Sequence, residues 1–144
     1  MNVVEPTVLV DASGQPLGEV PAKPLAGRRI LLVEDLPEPT RAAARSLHEA
    51  GAEVVLECHA MAAVALIQRG PKPFDALVLD LQLALFDTLE AVRQLRQRDY
   101  DRPIVGVIPV GEQLLGKLLH SAGCTAVLGR PVEPWQLVTT LSVA

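Results

Sequence analysis

Five short apolar runs, each unbroken and each followed by a helical stripe, constrain this chain more than any other feature. The runs lie at 30–33, 54–56, 76–79, 104–108 and 126–128. An apolar run this short, with no polar alternation, is the mark of a strand buried on both faces. Behind them, apolar residues recur at helical spacing: Ala43, Ala44, Leu47, Ala50; Ala63, Val64, Ile67; Leu89, Val92, Leu95; Leu114, Leu115, Leu118, Leu119, Ala122; and Leu137, Val138, Leu141. The punctuation agrees with this rhythm. Pro37 and Pro39 stand where the first helix opens, Gly51 stops it, Gly70-Pro71 closes the second, Gly123 stops the fourth, and Pro134 opens the last. Glu90, Arg93 and Arg96 are expected on the outer face of the third helix.

Strands alternating with helices predict a parallel sheet covered on both faces, an α/β fold. Right-handed crossovers narrow the topology to a few doubly wound forms. A length of 144 residues suits one domain, here residues 28–144. Residues 1–27 read as an arm. They offer two candidate strands at 7–10 and 17–20 around a turn-rich stretch, which makes a hairpin plausible. Pro21-Ala22-Lys23-Pro24 follows as an extended linker.

At 49% hydrophobic and 21% charged, the composition is that of an ordered globular chain. A net charge of −4 without a basic run argues against binding nucleic acid. No stretch approaches the roughly 18 apolar residues of a membrane span, and the start lacks the features of a signal peptide. A cytoplasmic setting without membrane contact is therefore expected. Cys58 and Cys124 have no zinc or disulfide spacing and read as small buried hydrophobes. His48, His59 and His120 are scattered and read as surface residues. Trp135 reads either as a half-buried anchor or as part of a contact surface.

Chemistry in doubly wound sheets gathers outside the carboxyl ends of the strands, near the point where strand order reverses. Two of those ends carry acids: Glu34-Asp35 after the first run and Asp80 after the third. If the two strands adjoin, three carboxylates converge, and like charges that close repel unless a cation sits among them. An all-oxygen set completed by water is what Mg²⁺ favours. A metal-bound carboxylate in that crevice could accept a phosphoryl group, since the metal neutralises charge on the transferring oxygens. Capping of a turn or helix is the simpler alternative for any one of these acids.

Three segments, 29–35 (Arg-Ile-Leu-Leu-Val-Glu-Asp), 76–81 (Ala-Leu-Val-Leu-Asp-Leu) and 129–132 (Gly-Arg-Pro-Val), resemble the signature segments of bacterial response-regulator receiver domains. The resemblance spans about residues 28 to 144 in correct order. It implies a CheY-like, flavodoxin-like sheet of order 2-1-3-4-5. It implies phosphoryl transfer from a partner histidine kinase or phosphotransfer protein to Asp80, in a two-component system or phosphorelay. It further implies that Glu34 and Asp35 hold Mg²⁺ beside Asp80, aided by the backbone carbonyl of Gln82. The fourth helix, fifth strand and fifth helix would form the partner or homodimer face. The Arg130-Pro131 bond becomes a candidate cis peptide.

Four positions depart from the family pattern. Ile108 stands where a Thr or Ser hydroxyl normally meets the phosphoryl group, and Pro109 has no N–H to replace it. Val127 replaces an aromatic that reports activation, and Arg130 replaces a lysine. Charge-assisted hydrogen bonds are worth roughly 1.5–3 kcal/mol each, so the first two losses remove roughly 3–6 kcal/mol of contact with the phosphorylated state. Arg130 keeps the charge and is expected to pair with Asp80 or Asp35. Retained acids favour a phosphoacceptor; the switch positions favour a pseudo-receiver that binds proteins without phosphorylation. A phosphatase with an Asp nucleophile is a third reading, disfavoured because Gln82 stands where its second acid belongs. The domain is therefore not expected to be an enzyme. No output module follows Ala144, so its effect is expected to pass through a partner.

Overall fold

The apolar runs become the central strands of the computed structural model, which describes residues 7–20, 23–36 and 41–144. Two strands precede the sheet: β1 (Thr7–Val10) and β2 (Pro16–Val20), paired antiparallel with an irregular register at Leu9/Val10. The alternating part comprises β3 (Arg29–Glu34), α1 (Ala42–Glu49), β4 (Glu53–Glu57), α2 (Ala60–Arg69), β5 (Ala76–Asp80) and α3 (Leu85–Gln97). It continues through β6 (Ile104–Pro109), α4 (Gln113–Ala122), β7 (Ala126–Arg130) and α5 (Pro134–Val143). Pro37 and Pro39, expected at the start of α1, lie outside the described residues.

The five parallel strands run in the order β4-β3-β5-β6-β7, which is the 2-1-3-4-5 arrangement. Side chains alternate across a strand, so one apolar run supplies two cores. Leu31, Val33, Leu77 and Leu79 meet Leu89, Val92, Leu95, Leu115 and Leu119 on one face. Ile30, Leu32, Ala76 and Val78 meet Leu47, Leu137 and Leu141 on the other. Alternation also decides the site: Glu34 and Asp80 continue the rows of Leu32 and Val78 and stand opposite each other in register at the carboxyl ends.

Burial corrects several expectations. Of the five parallel strands, only β3, β5 and β6 are buried on both faces; β4 and β7 are the sheet edges and only partly covered, with Leu56 39% exposed. Leu115 and Leu119 are buried, but Leu114 is 71% exposed. Successive helical residues turn by about 100°, so adjacent leucines cannot both face the sheet squarely. Arg96 does not stay with Glu90 and Arg93 on the outer face. It folds back to donate from Nε to the Gly123 carbonyl at 3.0 Å and from Nη1 to the carbonyls of Tyr100 (2.5 Å) and Arg102 (2.8 Å).

The packed unit also begins before Arg28. Leu25 is fully buried in the core beside α1, and its N–H donates to the Ala50 carbonyl at 2.9 Å. A lone apolar residue in a turn carries no periodicity, which hid it in the sequence. Gly51, at φ +103°, lets this segment in: a Cβ there would lie 2.9 Å from the Lys23 Cβ and 3.0 Å from the Ala26 backbone.

Candidate functional site

Asp80 ends β5 in the middle of the sheet, where neighbours on both sides hide it from water. Its side chain is 11% exposed and that of Arg130 19% exposed, and Arg130 Nε donates to Asp80 Oδ1 at 2.9 Å. Arg130 ends β7, two strands away, so its side chain spans the carboxyl end of β6. On the way Nη2 donates to the carbonyls of Val107 (3.0 Å) and Leu81 (3.3 Å). The guanidinium thus has three acceptors, one charged, which fixes its orientation. Of the two partners expected for Arg130, the structure selects Asp80. The Arg130-Pro131 peptide is cis.

Asp35 points elsewhere. Its Oδ1 accepts the Gln82 N–H at 2.7 Å, and its Oδ2 accepts those of Leu83 (2.8 Å) and Ala84 (3.0 Å). These amides belong to the loop entering α3, whose own first residues provide no side-chain cap. Helix starts leave N–H groups unsatisfied and carry positive potential, so a carboxylate is well suited to close them. Capping, the simpler alternative for each acid in the sequence, is the role Asp35 takes; which helix it caps was not legible, because the amides lie 47 to 49 positions further along.

The acids expected to share one metal do not form one cage. Glu34 and Asp35 line a cavity of about 330 Å³ with Arg41, Leu56, Glu57 and Cys58. Asp80 and Arg130 line a different one, of about 410 Å³, walled by Ala43, Val107, Pro131 and Leu137 between α1 and α5. Among the described residues no group of three or more His, Cys, Asp or Glu side chains is arranged to hold a metal ion. Gln82, expected to offer its carbonyl, has its N–H on Asp35. As placed, these residues do not fit Mg²⁺.

The degenerate positions are ordinary parts of the fold. Ile108 is buried, Pro109 pairs in register with Arg130, and Val127 packs partly buried against the core. Trp135 is 66% exposed, so of its two readings the structure leaves the surface one. The three histidines are exposed. Cys124 is buried, but Cys58 is exposed, against expectation, because it follows the edge strand β4. Among the described residues no helix is long and apolar enough to cross a membrane.

The family model of the response regulator receiver domain matches residues 30–142. Histidine kinase 3 of Arabidopsis thaliana is 36% identical over 91 residues, which are 63% of this chain and 8% of that protein. The transcriptional regulatory protein TcrA of Mycobacterium tuberculosis (strain ATCC 25618 / H37Rv) is 37% identical over 81 residues, 56% of this chain and 31% of that protein. The chain therefore spans under a third of the length of these curated relatives. Among solved structures, the Vibrio cholerae chemotaxis protein CheY4 superposes with a TM-score of 0.71 at 23% identity, covering 82% of this chain and 98% of that one. The receiver domain of the Francisella response regulator 1452 gives 0.72 at 15% identity, covering 81% and 95%. At such identities the two structures speak for the fold alone.

Proposed function

Since the chain belongs to the response regulator receiver domain family, we propose that Asp80 accepts a phosphoryl group from a histidine kinase or phosphotransfer protein in two-component signalling. The observation that carries this reading is the Arg130–Asp80 contact of 2.9 Å at the carboxyl end of the central strand, opening onto a cavity. In the transfer, the phosphorus–nitrogen bond of a donor phosphohistidine breaks and a bond from phosphorus to an Asp80 oxygen forms. The leaving imidazole keeps the electron pair of the broken bond. Negative charge accumulates on the transferring oxygens, and the Arg130 guanidinium is the fixed positive group beside them. In this reading the domain is a phosphoacceptor rather than an enzyme. It works in the cytoplasm, and α4, β7 and α5 form the face for a partner or a second copy.

A second reading is supported by the Asp35 hydrogen bonds and by Ile108 and Pro109: a pseudo-receiver that binds its partner whatever the state of Asp80. A single experiment separates the two. The chain is incubated with acetyl phosphate, with Mg²⁺ and separately with chelator, and weighed intact. The phosphoacceptor gains one phosphoryl mass that Asp80→Asn lacks. Absence of that mass in chelator and also in Mg²⁺, where an ordinary receiver run alongside is labelled, leaves only the pseudo-receiver.

A further inference from the structure

Asp35 occupies the position where the receiver family implies a metal-ligating acid, yet protein groups already occupy its oxygens. A carboxylate offers about four lone-pair directions, and the N–H groups of Gln82, Leu83 and Ala84 take three of them. Those amides are held in place by the entry to α3, a 13-residue helix. Asp80 is engaged as well, with Arg130 on its Oδ1. Mg²⁺ demands a near-octahedral oxygen shell. The lone pair left on Asp35 can fill one corner of that shell, but among the described residues no further acids are arranged to share the ion with it, and a guanidinium hydrogen-bonded to Asp80 repels a second cation. To build a metal site, Arg130 must leave Asp80 and the acids must be rearranged, Asp35 turning away from its amides.

We infer that the Asp35 carboxylate is an internal cap for the loop between β5 and α3, and that this cap and Mg²⁺ are mutually exclusive. Arg130 stands in for the ion as the counter-charge of Asp80, and the resting domain takes up no Mg²⁺ at millimolar concentration. The inference goes beyond the function proposed above and holds whether or not Asp80 is ever phosphorylated. Intact mass tests that function; thermal melting and amide exchange test the cap, so either can fail alone.

The full chain is melted in chelator and in about 10 mM MgCl₂. An ion held at a hundred times its Kd would raise Tm of a domain this size by roughly 5–10 °C; no shift is expected. Hydrogen exchange is followed at the amides of Gln82, Leu83 and Ala84. They are expected to be protected with and without Mg²⁺, and to exchange about tenfold faster or more in Asp35→Ala. Should that variant fail to fold, Asp35→Asn, which keeps one acceptor oxygen of two, is expected to release at least one of the three. A Tm rise with Mg²⁺ that disappears on substitution of Asp35 overturns the inference. So does Mg²⁺-induced loss of protection at these amides, or protection that ignores Asp35 altogether.

Discussion

Replacing Arg130 by Ala tests the contact on which the site is built. Exposed ion pairs contribute about 0–1 kcal/mol, whereas deleting one partner of a buried pair costs about 3–5 kcal/mol. With side chains 11% and 19% exposed, the Asp80–Arg130 pair lies nearer the buried limit. The substitution also takes a donor from the carbonyls of Val107 and Leu81. Residual water access moderates the loss, so about 2–4 kcal/mol is expected. In a urea titration followed by circular dichroism, that is a midpoint lowered by roughly 1–2 M. The double variant with Asp80→Asn isolates the charge pair: once the carboxylate is gone, Arg130→Ala should cost less by about 1.5–3 kcal/mol. A coupling indistinguishable from zero would mean that the pair does not hold the strand ends together, and the electrostatic reasoning fails.

Three other outcomes are expected. Leu25→Ala should lose about 2–4 kcal/mol by the same titration, because the side chain is fully buried; a loss under about 0.5 kcal/mol would place the start of the packed unit later. Burial pushes the Tyr100 hydroxyl up to about 12 from 10. The folded state thus keeps its proton where the unfolded chain releases it, so this contribution is complete below pH 10 and lost as pH rises from 10 to 12. Partial exposure of the ring limits it to about 1–2 kcal/mol, and stability titrations of wild type and Tyr100→Phe should converge across that window. For the thiols, a disulfide-exchange reagent should label exposed Cys58 quickly and Cys124 only on unfolding. Burial raises the Cys124 thiol to about 11, which leaves roughly one thiolate in a thousand at pH 8. Equal labelling rates would contradict the burial of Cys124.

Much of this was legible because it is local. Ile30 to Val33 and Ala76 to Leu79 announce their strands by having no polar break, and the leucines of α3 announce their face by spacing. Asp80 stood out as an acid at the end of such a run. Where the reading failed, the deciding partner was remote. Leu25 finds its core across the loop to Ala50, Arg96 turns back to Gly123, and Leu114 is exposed because its helix presents only part of its leucine face to the sheet.

The amino-acid order alone determined the succession of strands and helices, the end of the sheet at which acids gather, and the charge available at Arg130. Periodicity and residue chemistry act over a few neighbouring positions. Folding in three dimensions decided what those charges meet. Glu34 falls in register with Asp80, Arg130 reaches across β6 to Asp80, and Asp35 turns to the amides before α3. Nothing near Asp35 in the chain distinguishes a metal ligand from a helix cap. That choice depends on which groups the packed strands and loops bring within about 3 Å of its oxygens, the range over which a hydrogen bond forms.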